Sequence, residues 1–417
     1  MALPQDVKTA TRAHYHNDDP EYPRQCERWG YSFPWNSNHM TAEELHVLRN
    51  SHDIIGLAAY ESLKSILDAE RTPSNDKTLS ITGQQSDDWY DVLRIHHHED
   101  DALQGFWNGV HTVPDWVDWK QIERGQRLFA KYASANLTFL FFYGFLRGSG
   151  VSGVKEVFTR TTSFTIQKFL PQFMGNFAWL IKVTNSLEYI QPGGEGHIDT
   201  IRIRLIHASV LHRIMKLAKI RPGYFNVEKI GLPINYFNSL HVLSIVSGSV
   251  LWDGLPKLGI TASKQEQEDY IALFRYLAYL NGVPSERFEN CEMAKATMES
   301  FLLAEEQPTP ALKILAEDFV RWIEFKPPLF LSRGFLMAGF HHFNGAEYCQ
   351  ALGFTSPSFH NRMSFKGLCL LLNLVSLAQL WIPSFDQYIV IVSKFLYHIT
   401  RNEHAKHLMT DFPQHLR

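Results

Sequence analysis

His207 is the residue of this chain whose setting most clearly asks for chemistry. It stands in the run Ile201-Arg-Ile-Arg-Leu-Ile-His207-Ala. Gly196 precedes the segment and Pro222-Gly223 closes it, so the pattern predicts a helix over 197–220. At helical spacing His207 lies in line with Ile203, Val210, Leu211, Ile214 and Ala218. An imidazole on an apolar helix face needs a partner for its ring nitrogens. A metal or a haem iron is one; a backbone carbonyl or a buried water is the other. Periodicity leaves both open. Arg202 and Arg204 come just before it, and Arg204, three residues earlier, shares part of its face. They read either as ordinary pairing arginines or as partners for acidic groups of a cofactor, such as haem propionates.

Other clusters offer less. His96-His97-His98-Glu99-Asp100-Asp101 resembles a metal cluster, but adjacent residues do not share a helix face, so a solvated helix end is expected. His341-His342 and the pair His404 and His407 are read the same way. No His-Glu-x-x-His, no Walker loop and no Gly-x-Ser-x-Gly occurs. Gln191-Pro-Gly-Gly-Glu-Gly196 does not follow a strand and reads as a turn before a helix. Glu266, Glu268 and Asp269 open a predicted helix, where the dipole favours negative charge. Cys26, Cys291, Cys349 and Cys369 form no Cys-x-x-Cys pair, which excludes zinc-ribbon and thioredoxin-type sites and predicts free thiols in a reducing compartment.

The elements that must position these residues are helical. Thr41-Ala-Glu-Glu44 is a capping box opening a helix that runs to about Ala69. A polar loop is expected at 71–87. Further helices are expected at 118–135, with an apolar continuation over 137–146, and at 163–186, bent by Pro171. Others follow at 235–253, 263–281, 291–304, 309–325, 328–341, 357–382 and 385–402. Strand-like alternation is scarce, so the expected fold class is all-α, a single large helical domain. The chain has 417 residues, 45% hydrophobic and 20% charged, which is globular composition. A net charge of −3 gives no basic footprint for nucleic acid. The 13% aromatic content suits a large apolar pocket or a large core. The first residues show no apolar signal segment and the last no lipidation box, so an intracellular, non-secreted protein is expected. Residues 367–385 carry no charge, and this run is read as a buried helix, with a membrane-resting or membrane-inserted helix as the alternative.

Four segments occur in order: Trp116-Val-Asp-Trp-Lys-Gln-Ile-Glu-Arg-Gly-Gln-Arg-Leu-Phe129, Ile201 to Ala208, Gly231-Leu-Pro-Ile-Asn235, and Glu268-Asp-Tyr-Ile-Ala-Leu-Phe-Arg-Tyr-Leu-Ala-Tyr-Leu-Asn-Gly282. Together they resemble the family of the bacterial rubber oxygenase (latex-clearing protein) and the fungal membrane-bound oxygenase of mycophenolic acid synthesis, and the fungal branch most closely. The resemblance covers roughly residues 25–350. It implies an N-terminal extension over 1–24, a haem-binding oxygenase-like domain over 25–350 and C-terminal helices over 351–417 packing on that domain. It also implies a globin-like core binding one haem b, with His207 of Arg204-Leu-Ile-His207-Ala as the proximal iron ligand. Arg204, Ile203 and Leu211 are implied as cofactor-binding neighbours. The typical reaction is insertion of dioxygen across an isoprenoid double bond, which suits an apolar secondary metabolite as substrate. A cytoplasmic or endoplasmic-reticulum-associated setting with peripheral membrane contact goes with it.

The chain departs from the family at the distal helix. A Thr-Gly-Gly-Phe turn is common there, and this chain has Thr161-Thr-Ser-Phe164. Where an arginine and a Glu-Thr pair are common it has Gln172 and Gly175-Asn176. Leu211 replaces a common arginine, and Tyr236 and Asn238 stand near positions that often carry acids. Gln172 and Asn176 are therefore the distal candidates, able to donate hydrogen bonds but not to act as a base near neutral pH. Three readings follow: oxygen activation oriented by these amides; another haem reaction such as peroxide-driven oxidation, coupling or rearrangement; or a non-catalytic helical ligand-binding protein.

Overall fold

The computed structural model describes residues 25–70, 88–161, 164–326 and 330–391. The polar loop at 71–87, the extension 1–24, His404 and His407, and most of the helix expected at 385–402 lie outside the described residues.

The chain enters through a short antiparallel hairpin, β1 (Gln25–Arg28) and β2 (Tyr31–Pro34), paired from Gln25↔Pro34 to Arg28↔Tyr31. Helices account for nearly all the rest. The first group is α1 (Ala42–Arg49), α2 (Ile54–Glu70), α3 (Trp89–His96), α4 (Asp101–His111) and α5 (Trp119–Lys131). Then come α6 (Ala133–Phe139), α7 (Phe145–Gly150), α8 (Ser152–Thr161), α9 (Ile166–Val183), α10 (Leu187–Ile190) and α11 (Glu195–Ile220). After these run α12 (Val227–Ile230), α13 (Tyr236–Val246), α14 (Leu255–Lys257), α15 (Lys264–Leu280) and α16 (Cys291–Ala304). The last are α17 (Pro310–Ile323), α18 (Arg333–Asn344), α19 (Ala346–Leu352) and α20 (Phe359–Trp381). The architecture is all-α, as the sequence pattern predicts, with the hairpin as a small addition.

Several expected helices are broken, and the breaks have local causes. The helix expected from Thr41 to Ala69 stops at Asn50, and α2 restarts after Asp53. In the polar run Asn50-Ser51-His52-Asp53 the Asn50 and Ser51 side chains donate back to the His46 and Val47 carbonyls of α1, while Ser51 O accepts from the Tyr236 N–H at 2.9 Å. The apolar continuation after α5 is interrupted by a π-turn at Leu140–Gly144, and the 235–253 helix by another at Val250–Gly254. The second turn lies against α6, where a Cβ on Gly254 would come within 2.5 Å of the Phe139 ring.

Three apolar clusters form. The main core runs from Trp29 to Cys369 and is rich in phenylalanine, with Phe145 and Phe319 stacked at 3.6 Å. A second cluster joins α2, α3 and α4 to one face of α11 through Ile201, Leu205 and Ala208. A third, smaller cluster joins Val157 of α8 to Ile214 of α11 and Phe225. The α11 helix, about 39 Å long at 1.5 Å per residue, is thus the seam between lobes. Buried ion pairs tie the main core. Arg147 pairs with Glu305 and donates to Asn344 Oδ1 at 3.2 Å, and its guanidinium stacks on Tyr348 at 3.9 Å.

The closest helix contact on this scaffold is α5 on α15. A Cβ at Gly125 would stand 2.3 Å from the Asp269 carbonyl oxygen, so backbone meets backbone there. At Gly105 of α4 a Cβ would meet nothing within 4 Å. Gly125→Ala should therefore cost about 1–3 kcal/mol in urea unfolding. Gly105→Ala should stabilise by about 0.5–1 kcal/mol, and equal effects at the two sites would contradict this packing.

Candidate functional site

The site is built on α11. Its start is forced by glycines: Gly193 has φ +87, and a Cβ at Gly194 would lie 2.2 Å from the Glu188 carbonyl oxygen. The Gln191–Gly196 segment is the turn that the sequence predicts. His197, one turn into the helix, is fully buried and satisfied, with Nε2 at 2.7 Å from the Val110 carbonyl and Nδ1 accepting from the Gly193 N–H at 3.3 Å.

One stripe of α11 carries Gly196, Thr200, Ile203, His207 and Ile214, and its N-terminal part faces α9. Trp179 Nε1 donates to Thr200 Oγ1 at 2.9 Å, and a Cβ on Gly196 would touch Val183 at 3.2 Å. Lys182 pairs with Asp199 beside these contacts. The two helices are antiparallel there. Continued at ideal helical spacing, that register would bring Asn176 level with Ile203 and Gln172 level with His207. Burial changes sharply between the two stretches. Leu180, Val183 and Thr200 are shut off from solvent, whereas Met174, Asn176 and Ala178 are exposed and Gln172, Phe173 and Phe177 half-buried.

His207 shows the same change. Its side chain presents open surface. Burial nevertheless pushes the imidazole down to about 4, with the Asp53 carboxylate acting weakly in the opposite direction. An open surface on a strongly desolvated ring fits a side chain set among many protein atoms beside unfilled space. Among the described residues the ring makes no hydrogen bond and no ion pair. The carbonyl-bonded imidazole that periodicity allowed is found at His197, not at His207.

Arg204 is placed otherwise than the resemblance implies. Its Nε lies 2.5 Å from Asp53 Oδ2, its Nη2 2.8 Å from Asp53 Oδ1 and its Nη1 3.3 Å from the Leu280 carbonyl. The whole fork is engaged by protein groups, so the propionate reading of Arg204 is corrected to a clamp between α2, α11 and the end of α15. Asp53 Oδ1 also accepts from the Gly56 N–H at 3.0 Å, capping α2. A Cβ on Gly282, at φ +68, would lie 2.4 Å from the guanidinium. Arg202 is likewise engaged, by Asp88 and Asp199. Leu211 is buried and Ile203 half-buried, on either side of the His207 turn.

The remaining candidates are structural. His96 pairs with Glu99 at 2.8 Å and His97 stacks on Trp107 at 4.4 Å, at the end of α3. His341 and His342 reach the carbonyls of Thr355 and Lys257. Among the described residues no group of three His, Cys, Asp or Glu could hold a metal ion. Cys291, Cys349 and Cys369 are free thiols. Glu266 completes a capping box with Ser263, but Asp269 is a bidentate partner of Arg124 at 2.7 and 2.9 Å, more than a dipole complement. Asn235 caps α13 by accepting from the Asn238 N–H at 2.9 Å. Sequence reasoning missed Asp53, Trp179 and Thr200. An aspartate three residues before a glycine, after a polar break, is a cap signal; the Trp179–Thr200 contact has no local signal.

A family model described as "ER-bound oxygenase mpaB/B'/Rubber oxygenase, catalytic domain" matches residues 135–374. That span contains α9, α11 and His207. The fold is similar to the structure of latex clearing protein in the closed state, with a TM-score of 0.56 and 15% identity over 88% of this chain and 93% of that one. No curated protein shows significant similarity to the chain.

Two outcomes test this geometry. Asp53→Asn should cost about 3 kcal/mol, because it leaves a buried guanidinium without its carboxylate; Asp53→Leu combined with Arg204→Met should recover most of it. The second concerns pH. A histidine lowered in the folded state binds its proton more readily when unfolded, so stability falls as pH drops from about 6.5 to about 4. His207→Leu should flatten that part of the apoprotein's stability profile, leaving the share due to His197, which burial also lowers to about 4. An unchanged slope would show that His207 is not desolvated.

Proposed function

Because the chain belongs to the family of ER-bound oxygenases mpaB/B′ and rubber oxygenase, we propose that it is a haem b-dependent oxygenase. Its substrate is an apolar small molecule, an isoprenoid or polyketide, oxidised with dioxygen in a reaction that extends to cleavage of a carbon–carbon double bond. The observation that carries this reading is the His207 ring: lowered to about 4 by burial, and without a hydrogen-bond or ion-pair partner among the described residues.

The residues present fit the group. Neutral imidazole is a common haem ligand, and Ile203 and Leu211 give its turn an apolar flank. A bound iron porphyrin would supply the redox centre for oxygen chemistry. The chain's own part is positional. The Arg204–Asp53 clamp fixes α11 one turn before His207, and the Trp179–Thr200 bond fixes the distance between α9 and α11 two turns before it. Gln172 and Asn176 offer amide N–H groups to a polar reactant at that level. Residues 164–187 contain no carboxylate, so α9 supplies donors but no proton acceptor, and any proton taken up near it comes from solvent or from another element.

That missing base favours a second reading, in which the same site runs peroxide-driven oxidation or coupling. Oxygen consumption separates the two, since only the first uses dioxygen without added peroxide. We place the enzyme inside the cell, in the cytoplasm or against the endoplasmic reticulum membrane; the α20 helix is long and apolar enough to cross a membrane by length and composition.

Protein purified from cells well supplied with haem should show a Soret band. His207→Ala should abolish or strongly reduce it, with far-ultraviolet circular dichroism unchanged, and added imidazole should restore part of it. Wild-type protein free of haem would overturn the reading. Gln172→Leu and Asn176→Leu should keep the band and shift the C–O stretch of the carbonyl complex, because each removes a donor beside the bound gas. A stretch unmoved by both changes would place these amides outside the site.

A further inference from the structure

The α20 helix reverses the usual arrangement of a surface helix. Its inward face carries polar groups that bind the body of the protein. Gln379 Nε2 donates to the Lys131 carbonyl at 2.9 Å and Asn373 Nδ2 to the Gly259 carbonyl at 2.6 Å. Ser376 and Cys369 are buried beside them, and Phe365 packs on Phe142 at 5.3 Å. Its outward face is apolar. Phe359, Met363, Leu370, Leu374, Leu377 and Trp381 recur at helical spacing along one side, and Trp381 is 83% exposed. A contiguous apolar surface of this kind marks an interaction site.

The surface continues beyond the helix. The first turn of α18, at the end of the α17–α18 loop, meets the first turn of α20, where a Cβ on Gly334 would come within 2.1 Å of Asn361. Phe325 and Phe330 in that loop are about as exposed as the α20 leucines, at 60% and 61%. The charges beside it are mainly positive, with Glu324 an acid at the start of the same loop. Lys326, Arg362 and Lys366 are exposed and form no ion pair among the described residues, and no aspartate or glutamate occurs between Phe359 and Phe385. Unpaired cations at one end of an apolar, aromatic-edged face complement a surface that is oily below and anionic above.

We propose that α20 is an interfacial anchor whose outward face rests in the headgroup region of a bilayer containing anionic lipid. The helix lies along the membrane and does not cross it. Crossing would pull Gln379 and Asn373 from their carbonyl partners into hydrocarbon, where unsatisfied amides are costly. Lying flat keeps both bonds, buries the leucines and lets Arg362 and Lys366 reach the phosphates. The proposal deepens the membrane setting given above and names the face that makes it.

Flotation of the full chain with vesicles tests it. The protein should float with phosphatidylcholine–phosphatidylserine vesicles and less with phosphatidylcholine alone. Leu374→Glu with Leu377→Glu, both outward and clear of the core, should leave far-ultraviolet circular dichroism unchanged and abolish flotation. Arg362→Glu with Lys366→Glu should weaken binding to the anionic vesicles about tenfold or more while leaving the weaker phosphatidylcholine binding in place. Alkaline carbonate should release the protein, whereas a spanning helix would stay with the membrane. Wild-type protein that stays in the aqueous fraction overturns the proposal. In that case a dimer broken by the leucine changes identifies a second copy as the occupant, and an unchanged monomer identifies the chain's own residues 392–417. Flotation that survives the leucine changes also overturns it. Flotation does not depend on haem, so failure of the haem assignment and failure of the anchor are read separately.

Discussion

The bidentate pair between Arg204 and Asp53 is the constraint on which the site depends. It joins α11, which carries His207, to the first turn of α2, and through the Leu280 carbonyl to the last turn of α15. A guanidinium this buried is costly unless every part of its fork is engaged, and here it is. Asp53 is held in turn by the Gly56 N–H, and Gly282 leaves the only room in which the fork fits. Three helices therefore cannot slide past one another at this level without breaking a desolvated ion pair. The imidazole three residues later inherits a fixed backbone, the condition for a ligand atom to be held without a hydrogen bond of its own.

The other requirement is space. Protein interiors are packed to the density of organic crystals, and the α9–α11 contact obeys this at Val183, Leu180 and Thr200. One or two turns further it does not, although Phe173 and Phe177 are large enough to fill a gap. The change in burial follows directly after the Trp179–Thr200 bond, which ties the two helices. A desolvated imidazole stands on α11, and the half-buried Gln172, Phe173 and Phe177 stand on α9. Such a lining suits a flat, mostly apolar group with one strong attachment point better than it suits water, which would need more polar partners than the described residues provide.

How much of this could be read from the chain depends on whether the signal is local. The α11 helix, its glycine-forced start and the unusual setting of His207 follow from periodicity and turn chemistry within one segment. So does the all-α class. The partner of Arg204 does not: Asp53 lies 151 residues away, and a cap signal at Asp53 only breaks a helix without saying which arginine its carboxylate will meet. For the same reason Asp269 reads from sequence as a dipole complement and turns out to hold Arg124, from a helix packed backbone to backbone through Gly125. The hollow is the least legible feature. It is the place where side chains stop meeting, and no pattern in a single segment encodes an absence shared between two helices.

The two helices with the strongest functional claims depart from the polar-out, apolar-in pattern in different ways. The α9 helix carries amides, not carboxylates, over the stretch where its burial gives out, and α20 turns leucines toward the exterior while spending its polar side chains on inward hydrogen bonds. Neither is a weakness of local folding, since α11 is clamped beside the first and the second is tied down by Gln379 and Asn373. A sequence that satisfies its rules nearly everywhere and violates them at two well-anchored places leaves something for another molecule to complete. The two deficits differ in kind. Inside, a strong nitrogen ligand and a few donors are missing a partner, which calls for a small group of defined shape. Outside, a broad oily face with cations along one end is missing cover, which calls for a surface without shape. The proposed oxidation of apolar molecules would meet both demands at once, because such substrates concentrate in the phase that the proposed anchor would touch.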